Sequence, residues 1–195
     1  MSIFLTLSEA NNIIESMTNI IIVGRLASGK SVLAELLRKK TGFPVYEVGD
    51  VVRAECLNNG VKVMPLEYVV EKFDLSGKDY FVKKLLSEVD CEKSNIIVGV
   101  RNTEELNFLT ACLSNVFTVG ISSDRETRKK RYETSRKTKL ANSDFDERDR
   151  VEESWGINEV IERTDIVLRN DFCSCDEFLT YAEDILDRTV GKREL

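Results

Sequence analysis

The 195-residue chain contains no histidine at all, two prolines, one tryptophan and five cysteines. Without histidine, no Ser-His-Asp or Cys-His nucleophile system can be assembled, so hydrolytic chemistry of that kind is excluded. The cysteines (Cys56, Cys91, Cys112, Cys173 and Cys175) are odd in number and scattered. Cys173-Ser174-Cys175 has no second pair at metal-binding spacing, which argues against a metal site, and the thiols read as reduced. No apolar run is long enough to span a bilayer and no secretory leader is recognisable, so the sequence predicts a cytoplasmic protein without a membrane partner. With 28 basic against 34 acidic residues the formal charge is −6. A long basic surface for DNA is therefore not expected, and any basic patch must be local. Only Pro44 and Pro65 interrupt the chain, and neither a linker nor an internal repeat divides it.

What is present follows a simple rhythm. Short β-branched runs, "NIIIV" (19–23), "FPVYEV" (43–48), "NIIVGV" (95–100), "NVFTVGI" (115–121) and "DIVLR" (165–169), alternate with helical patterns. This alternation predicts an α/β fold with a mainly parallel sheet covered on both faces. "KSVLAELLRKK" places Val32, Leu33, Leu36 and Leu37 on one face and is stopped by Gly42; "CDEFLTYAEDILDR" places Phe178, Leu179, Ala182, Ile185 and Leu186 likewise. Residues 1–17 form an N-terminal extension with partial helical spacing, capped by Ser8.

Between the first strand and the first long helix stands Gly24-Arg25-Leu26-Ala27-Ser28-Gly29-Lys30-Ser31, followed by Val32. It matches G-x-x-x-x-G-K-[ST] completely and in the strand–loop–helix context that the chemistry needs. The glycines allow successive N–H groups and the helix N-terminus to face phosphate oxygens. Lys30 would reach the β and γ phosphates of ATP, and the Ser31 hydroxyl would help hold Mg²⁺. No N-K-x-D base-reading segment follows, which argues against a GTPase.

The second strand runs into "VGDVVRAE" (48–55), where Asp50 could serve Mg²⁺ or an acceptor and Arg53 a second phosphate. Read in isolation, Asp50 merely caps a helix and Arg53 is solvated. The run "RETRKKRYETSRKTK" (125–139) holds eight Lys or Arg among fifteen residues. It reads as a local anion site, as a solvated charged helix, or, most weakly, as an RNA patch, since only Tyr132 offers a stacking surface. Arg128 and Arg131 are three apart and share a helix face.

Together these segments resemble adenylate kinase and its relatives, in which a G-D-x-x-R helix holds the acceptor monophosphate. "IIVGVRNTEEL" (96–106) is similar to the strand-end segment whose arginine grips that phosphate, with Arg101 as the match. "FDERDRVEESWGINEVIERTDIVLRND" (145–171) resembles an uncharacterised, adenylate-kinase-related group found in archaea, through Arg148, Asp149, Arg150, Gly156, Ile157, Glu159, Val160, Ile161, Asp165 and Asn170. Dephospho-CoA kinase is a more distant cousin. The resemblance covers roughly residues 19–187. It implies a five-stranded parallel sheet of order 2-3-1-4-5 in a P-loop kinase domain (18–190), with an acceptor-binding insertion near 50–90, a lid near 125–150 and a tail at 191–195. It further implies ATP and Mg²⁺ as cofactors, Asp50, Arg53 and Arg101 on a small phosphorylated acceptor, Ser31 and Asp50 on the metal, and Lys30, Asp50, Arg128 and Arg148 as the catalytic group, with Arg136 and Arg150 also near the lid.

One position departs from the family pattern D-G-x-R. Here it reads Val98-Gly99-Val100-Arg101, so one carboxylate of the Mg²⁺ shell is missing. The sequence therefore leaves three outcomes open: a nucleoside monophosphate kinase, a dephospho-CoA kinase, or an ATP-binding regulatory protein that transfers phosphate poorly.

Overall fold

A computed structural model describes residues 19–61, 66–135 and 141–190 of the chain. The expected N-terminal extension, the tail and Arg136 lie outside the described residues. Five strands form one parallel sheet: β1 (Asn19–Gly24), β2 (Val45–Glu47), β3 (Asn95–Val100), β4 (Val116–Ser122) and β5 (Ile166–Arg169), in the order β2-β3-β1-β4-β5. The first helix, α1 (Lys30–Thr41), follows the glycine-rich loop directly. Three helices lie between β2 and β3: α2 (Val48–Asn58), α3 (Leu66–Ser76) and α4 (Tyr80–Leu86). Then come α5 (Thr103–Cys112), α6 (Arg125–Ser135), α7 (Ala141–Ser154), α8 (Ile157–Glu162) and α9 (Cys175–Val190).

The β-branched runs become central strands because both faces are covered. On β1, Ile20 and Ile22 pack with Leu33, Ala34 and Leu37 of α1 and with Phe178, Ala182 and Leu186 of α9. Ile21 and Val23 point the other way, toward Val52 of α2, Leu109 of α5 and Val160 of α8. All four β1 isoleucines and valines are essentially buried, and each contributes on the order of 2 kcal/mol through removal from water. α1 ends where the sequence says it should: Gly42 sits at φ 74 and its N–H donates to Arg38 O at 2.9 Å.

β2 is shorter than its apolar run. Glu47 is extended (φ −110, ψ 122) and caps a helix that already begins at Val48, whose side chain is 1% exposed in the core. The β-branched Val48 lengthens the pattern, but its burial belongs to the helix. β3 also carries an irregularity, for Ile22 pairs with Val98 while Val23 pairs with Val100, so Gly99 is skipped at the sheet's C-terminal edge.

One polar cluster and one aromatic contact fix the helices around that edge. Glu55 of α2, buried, accepts hydrogen bonds from Tyr68 Oη (3.1 Å), Tyr80 Oη (2.9 Å) and Lys84 Nζ (2.5 Å), joining α2 to α3 and α4. On the apolar side, Trp155 stacks edge-on against Phe73 of α3, with centroids 5.1 Å apart. The chain from α7 to α8 thereby packs against the segment between β2 and β3.

Candidate functional site

The glycine-rich loop turns tightly at the end of β1. A Cβ on Gly24 would come within 2.8 Å of the Ile121 carbonyl, so only glycine lets the loop approach β4 this closely. Gly29 has φ +105 and is backed by the Asn170 side chain, which donates to Ser28 O at 2.8 Å. Asn170, at the end of β5, is thus a strut under the loop. Ala27 adopts φ 60, a left-handed conformation unusual for a residue with a side chain.

Lys30 leads into α1 and curls back over the loop: its Nζ donates to Gly24 O (2.7 Å) and Arg25 O (2.9 Å). Burial lowers its pKa to about 8, against the opposing pull of the Glu152 carboxylate. The ammonium has no carboxylate partner in direct contact among the described residues.

A cavity of about 540 Å³ opens over the loop, a volume ordinary for a small-molecule site. Leu26, Ala27, Ser28, Gly29, Lys30, Ser31 and Val32 line its floor. Arg131, Asn170, Phe172, Cys173 and Phe178 form one end; Glu47, Gly99 and Arg101 form the other. Arg131 is fixed there by Asn170 O (3.0 Å), Asn170 Oδ1 (2.9 Å) and Phe172 O (3.0 Å), all acceptors. The loop's seven residues and Arg101 therefore face one space.

Other expected site residues are placed differently. Asp50 is on α2, its side chain 70% exposed, and pairs with Arg53 Nη2 at 2.5 Å. It lines a smaller cleft with Tyr46 and Lys84 rather than the cavity over Lys30 and Ser31. The carboxylate that does line that cavity is Glu47, which also lies 3.8 Å from Arg53 Nη2. The Gly-Asp pair points to the aspartate as the metal ligand, but the carboxylate at this cavity is the strand-end glutamate. The register between β2 and β3, with Glu47 opposite Val98, is what brings it to the edge.

The basic helix α6 divides its arginines between two sides of the loop. Arg131 enters the cavity, but Arg128 is only 2% exposed and grips Asp149 of α7 with both terminal nitrogens. It also donates to Leu26 O (3.3 Å) and Ser123 O (3.2 Å). Arg25 of the loop joins the same carboxylate through Nε at 3.1 Å and reaches the Asp149 carbonyl at 2.8 Å. Arg128 is thus a buried strut between loop and α7, and does not line the cavity over Lys30. Arg148, half-exposed on α7, lines neither this cavity nor the larger one of about 920 Å³ on the loop's outer side, where Arg25, Arg125, Arg128 and Arg150 gather with Asp149 and Glu153.

At the end of β3, Arg101 donates from Nε to Glu152 Oε1 at 3.0 Å, and the other oxygen of Glu152 accepts the Leu26 N–H at 2.8 Å. The Arg101 backbone N–H donates to Glu105 Oε2 at 2.6 Å. Burial pushes Glu105 up to about 7, although the neighbouring Arg101 charge draws it down. Val98 is 2% exposed and packs in the core beside α1.

Sheet order, loop and flanking helices define a P-loop kinase-like fold. Solved structures agree: a gluconokinase from Sinorhizobium meliloti superposes with a TM-score of 0.61 at 12% identity, covering 91% of this chain and 95% of that one. Shikimate kinase from Aquifex aeolicus gives 0.54 at 22%, covering 89% and 98%. No family model matches the chain. A UPF0200 protein of Methanococcus vannielii is 31% identical over 180 residues, 87% of this chain and 95% of its own. Another, from Pyrobaculum aerophilum, is 28% identical over 179 residues, 90% and 97% of the two chains. The chain belongs to the UPF0200 family.

Proposed function

We propose that the chain is an ATP-dependent phosphotransferase that passes the γ-phosphoryl group of ATP to a small phosphorylated acceptor, a nucleoside monophosphate in the first instance. The observation that carries this reading is the single cavity lined by residues 26–32 of the phosphate loop together with Glu47 and Arg101, with Arg53 beside Glu47.

The residues fit Mg²⁺ of the kind used in phosphoryl transfer. Among the described residues no group of three or more acidic or cysteine side chains could cage a metal. Mg²⁺ bound with a nucleotide needs few protein ligands, because phosphates and water supply most of its shell. Ser31 and Glu47 line the same cavity and would hold it, whereas Asp50 is turned toward Arg53. When bound, the ion would neutralise charge between phosphate oxygens.

The chain's own groups supply the rest. Lys30 would exchange two loop carbonyls for phosphate oxygens. Arg53 and Arg101 would hold the acceptor phosphate in line, with an acceptor oxygen forming the new P–O bond as the bridging P–O bond breaks and its electron pair leaves with ADP. An anionic phosphate acceptor needs no strong general base. α6 and α7 would exclude water around the reacting centre.

A second reading, an ATP-binding regulator, is favoured by Val98, which puts a core side chain where the related kinases carry a carboxylate. The two separate in a transfer screen with γ-labelled ATP·Mg²⁺ against all nucleoside and deoxynucleoside monophosphates and dephospho-CoA. Label in at least one acceptor is expected. Label only in dephospho-CoA would reassign the acceptor; none anywhere, with ATP binding intact, would refute the transferase reading and leave the regulator.

A further inference from the structure

Glu152 is the one carboxylate that bonds directly to a backbone N–H of the phosphate loop among the described residues. It is 5% exposed, and each oxygen has a donor: Leu26 N at 2.8 Å and Arg101 Nε at 3.0 Å. Loop amides and an arginine at a strand end are what a phosphoryl group takes in a site of this kind. The carboxylate resembles such a group in charge and in offering divergent acceptor oxygens.

Glu152 sits one turn after Asp149 on α7, and the two grips on the loop differ in kind. Asp149 holds the side chains of Arg25 and Arg128, groups on the loop's outer side that phosphate does not need. Glu152 holds Leu26 and Arg101, two residues that line the nucleotide cavity. A ligand bound to these two residues would compete with Glu152 and leave Asp149 alone.

We infer that Glu152 is an internal occupant of the terminal phosphoryl subsite, and that a bound triphosphate displaces it from Leu26 and Arg101, shifting the end of α7 while the grips of Asp149 and Glu153 on Arg25 stay as a pivot. This rests on the kinase reading above. A diphosphate that stops short of the subsite would leave Glu152 in place. In the empty protein the arrangement keeps Arg101 oriented and its charge compensated until substrate arrives.

The test compares ATP·Mg²⁺ and ADP·Mg²⁺ binding by calorimetry in the full chain and in Glu152→Gln, which keeps size and an acceptor oxygen but removes the competing charge. Removing a like charge at hydrogen-bonding distance from phosphate is expected to tighten ATP by about tenfold or more and ADP by much less. Equal gains for both nucleotides, or no gain for ATP, would overturn the inference while leaving nucleotide binding itself standing. Failure of the unaltered chain to bind any nucleotide would instead overturn the kinase reading, and this inference with it. Should the variant not fold, the unaltered chain carries its own reporter. Trp155, the only tryptophan, follows α7 and packs on Phe73. ATP·Mg²⁺ should change its emission and ADP·Mg²⁺ should not; identical responses would contradict the displacement.

Discussion

Replacing Asp149 by alanine removes the carboxylate on which loop, α6 and α7 converge. Asp149 is 3% exposed and Arg128 is 2% exposed, so the guanidinium would be left charged and buried without its partner. Breaking such a pair from one side costs about 3–5 kcal/mol, because desolvation is no longer offset. For a chain of this size that corresponds to roughly 10 °C in melting temperature. Urea denaturation and thermal unfolding followed by circular dichroism would read the loss. The paired replacement Arg128→Met with Asp149→Leu should lose much less, since neither charge then remains. Acid adds a check. Burial alone would raise the Asp149 pKa, but hydrogen bonds and charges from Arg128 and Arg25 outweigh it and hold it below the ordinary aspartate value. The pair therefore stabilises the fold above that ordinary value, and its contribution is lost as pH falls through the lowered one; Asp149→Ala should flatten this part of the acid limb. A loss below about 1 kcal/mol would refute the reasoning, by placing the pair in the class of solvated surface bridges.

Lys30 makes ATP affinity pH-dependent. Its pKa in the free protein is about 8, and phosphate requires the ammonium, so binding must take up a proton above that pH. Affinity should fall by up to about tenfold per pH unit from 8 upward; a flat calorimetric profile between pH 7 and 9.5 would contradict this. Ala27→Gly should raise the urea midpoint, since relief of the φ 60 strain, about 1–2 kcal/mol, exceeds the added chain entropy of glycine; a lowered midpoint would show that the loop conformation carries no such strain. Val98→Asp should destabilise by on the order of 3 kcal/mol, because the site is 2% exposed in the core and an unpaired carboxylate there is poorly solvated. Thermal unfolding checks it, and a stable variant with faster transfer would mean that the position belongs to the metal shell after all.

The sheet was legible because its central strands β1, β3 and β4 are buried on both faces and so appear as continuous apolar runs. The runs overshoot the strands at Phe43, Pro44, Asn115 and Asp165, and at Val48, a β-branched residue whose burial comes from a helix. The loop was legible because phosphate binding is local, needing consecutive amides and two glycines. The far side of the site was not. Whether Asp50 or Glu47 faces Ser31 depends on where β2 ends against β3, and the run FPVYEV does not mark that point. Glu152 and Asp149 meet Leu26 and Arg25 across more than a hundred residues of sequence, and no spacing rule connects them. Similarly, the three-residue interval between Arg128 and Arg131 places them on one helix face. It does not say that Asp149 pulls one outward and Asn170 holds the other inward.

The role proposed for residues 24–31 is to hold a nucleoside triphosphate through Lys30. Calorimetric titration of ATP·Mg²⁺ into the unaltered chain and into Lys30→Ala tests it most directly. The unaltered chain should bind, and the variant about a hundredfold or more weaker, as expected for loss of a charge-assisted contact of about 3 kcal/mol. Equal affinity in the two proteins, or no binding in either, would contradict it.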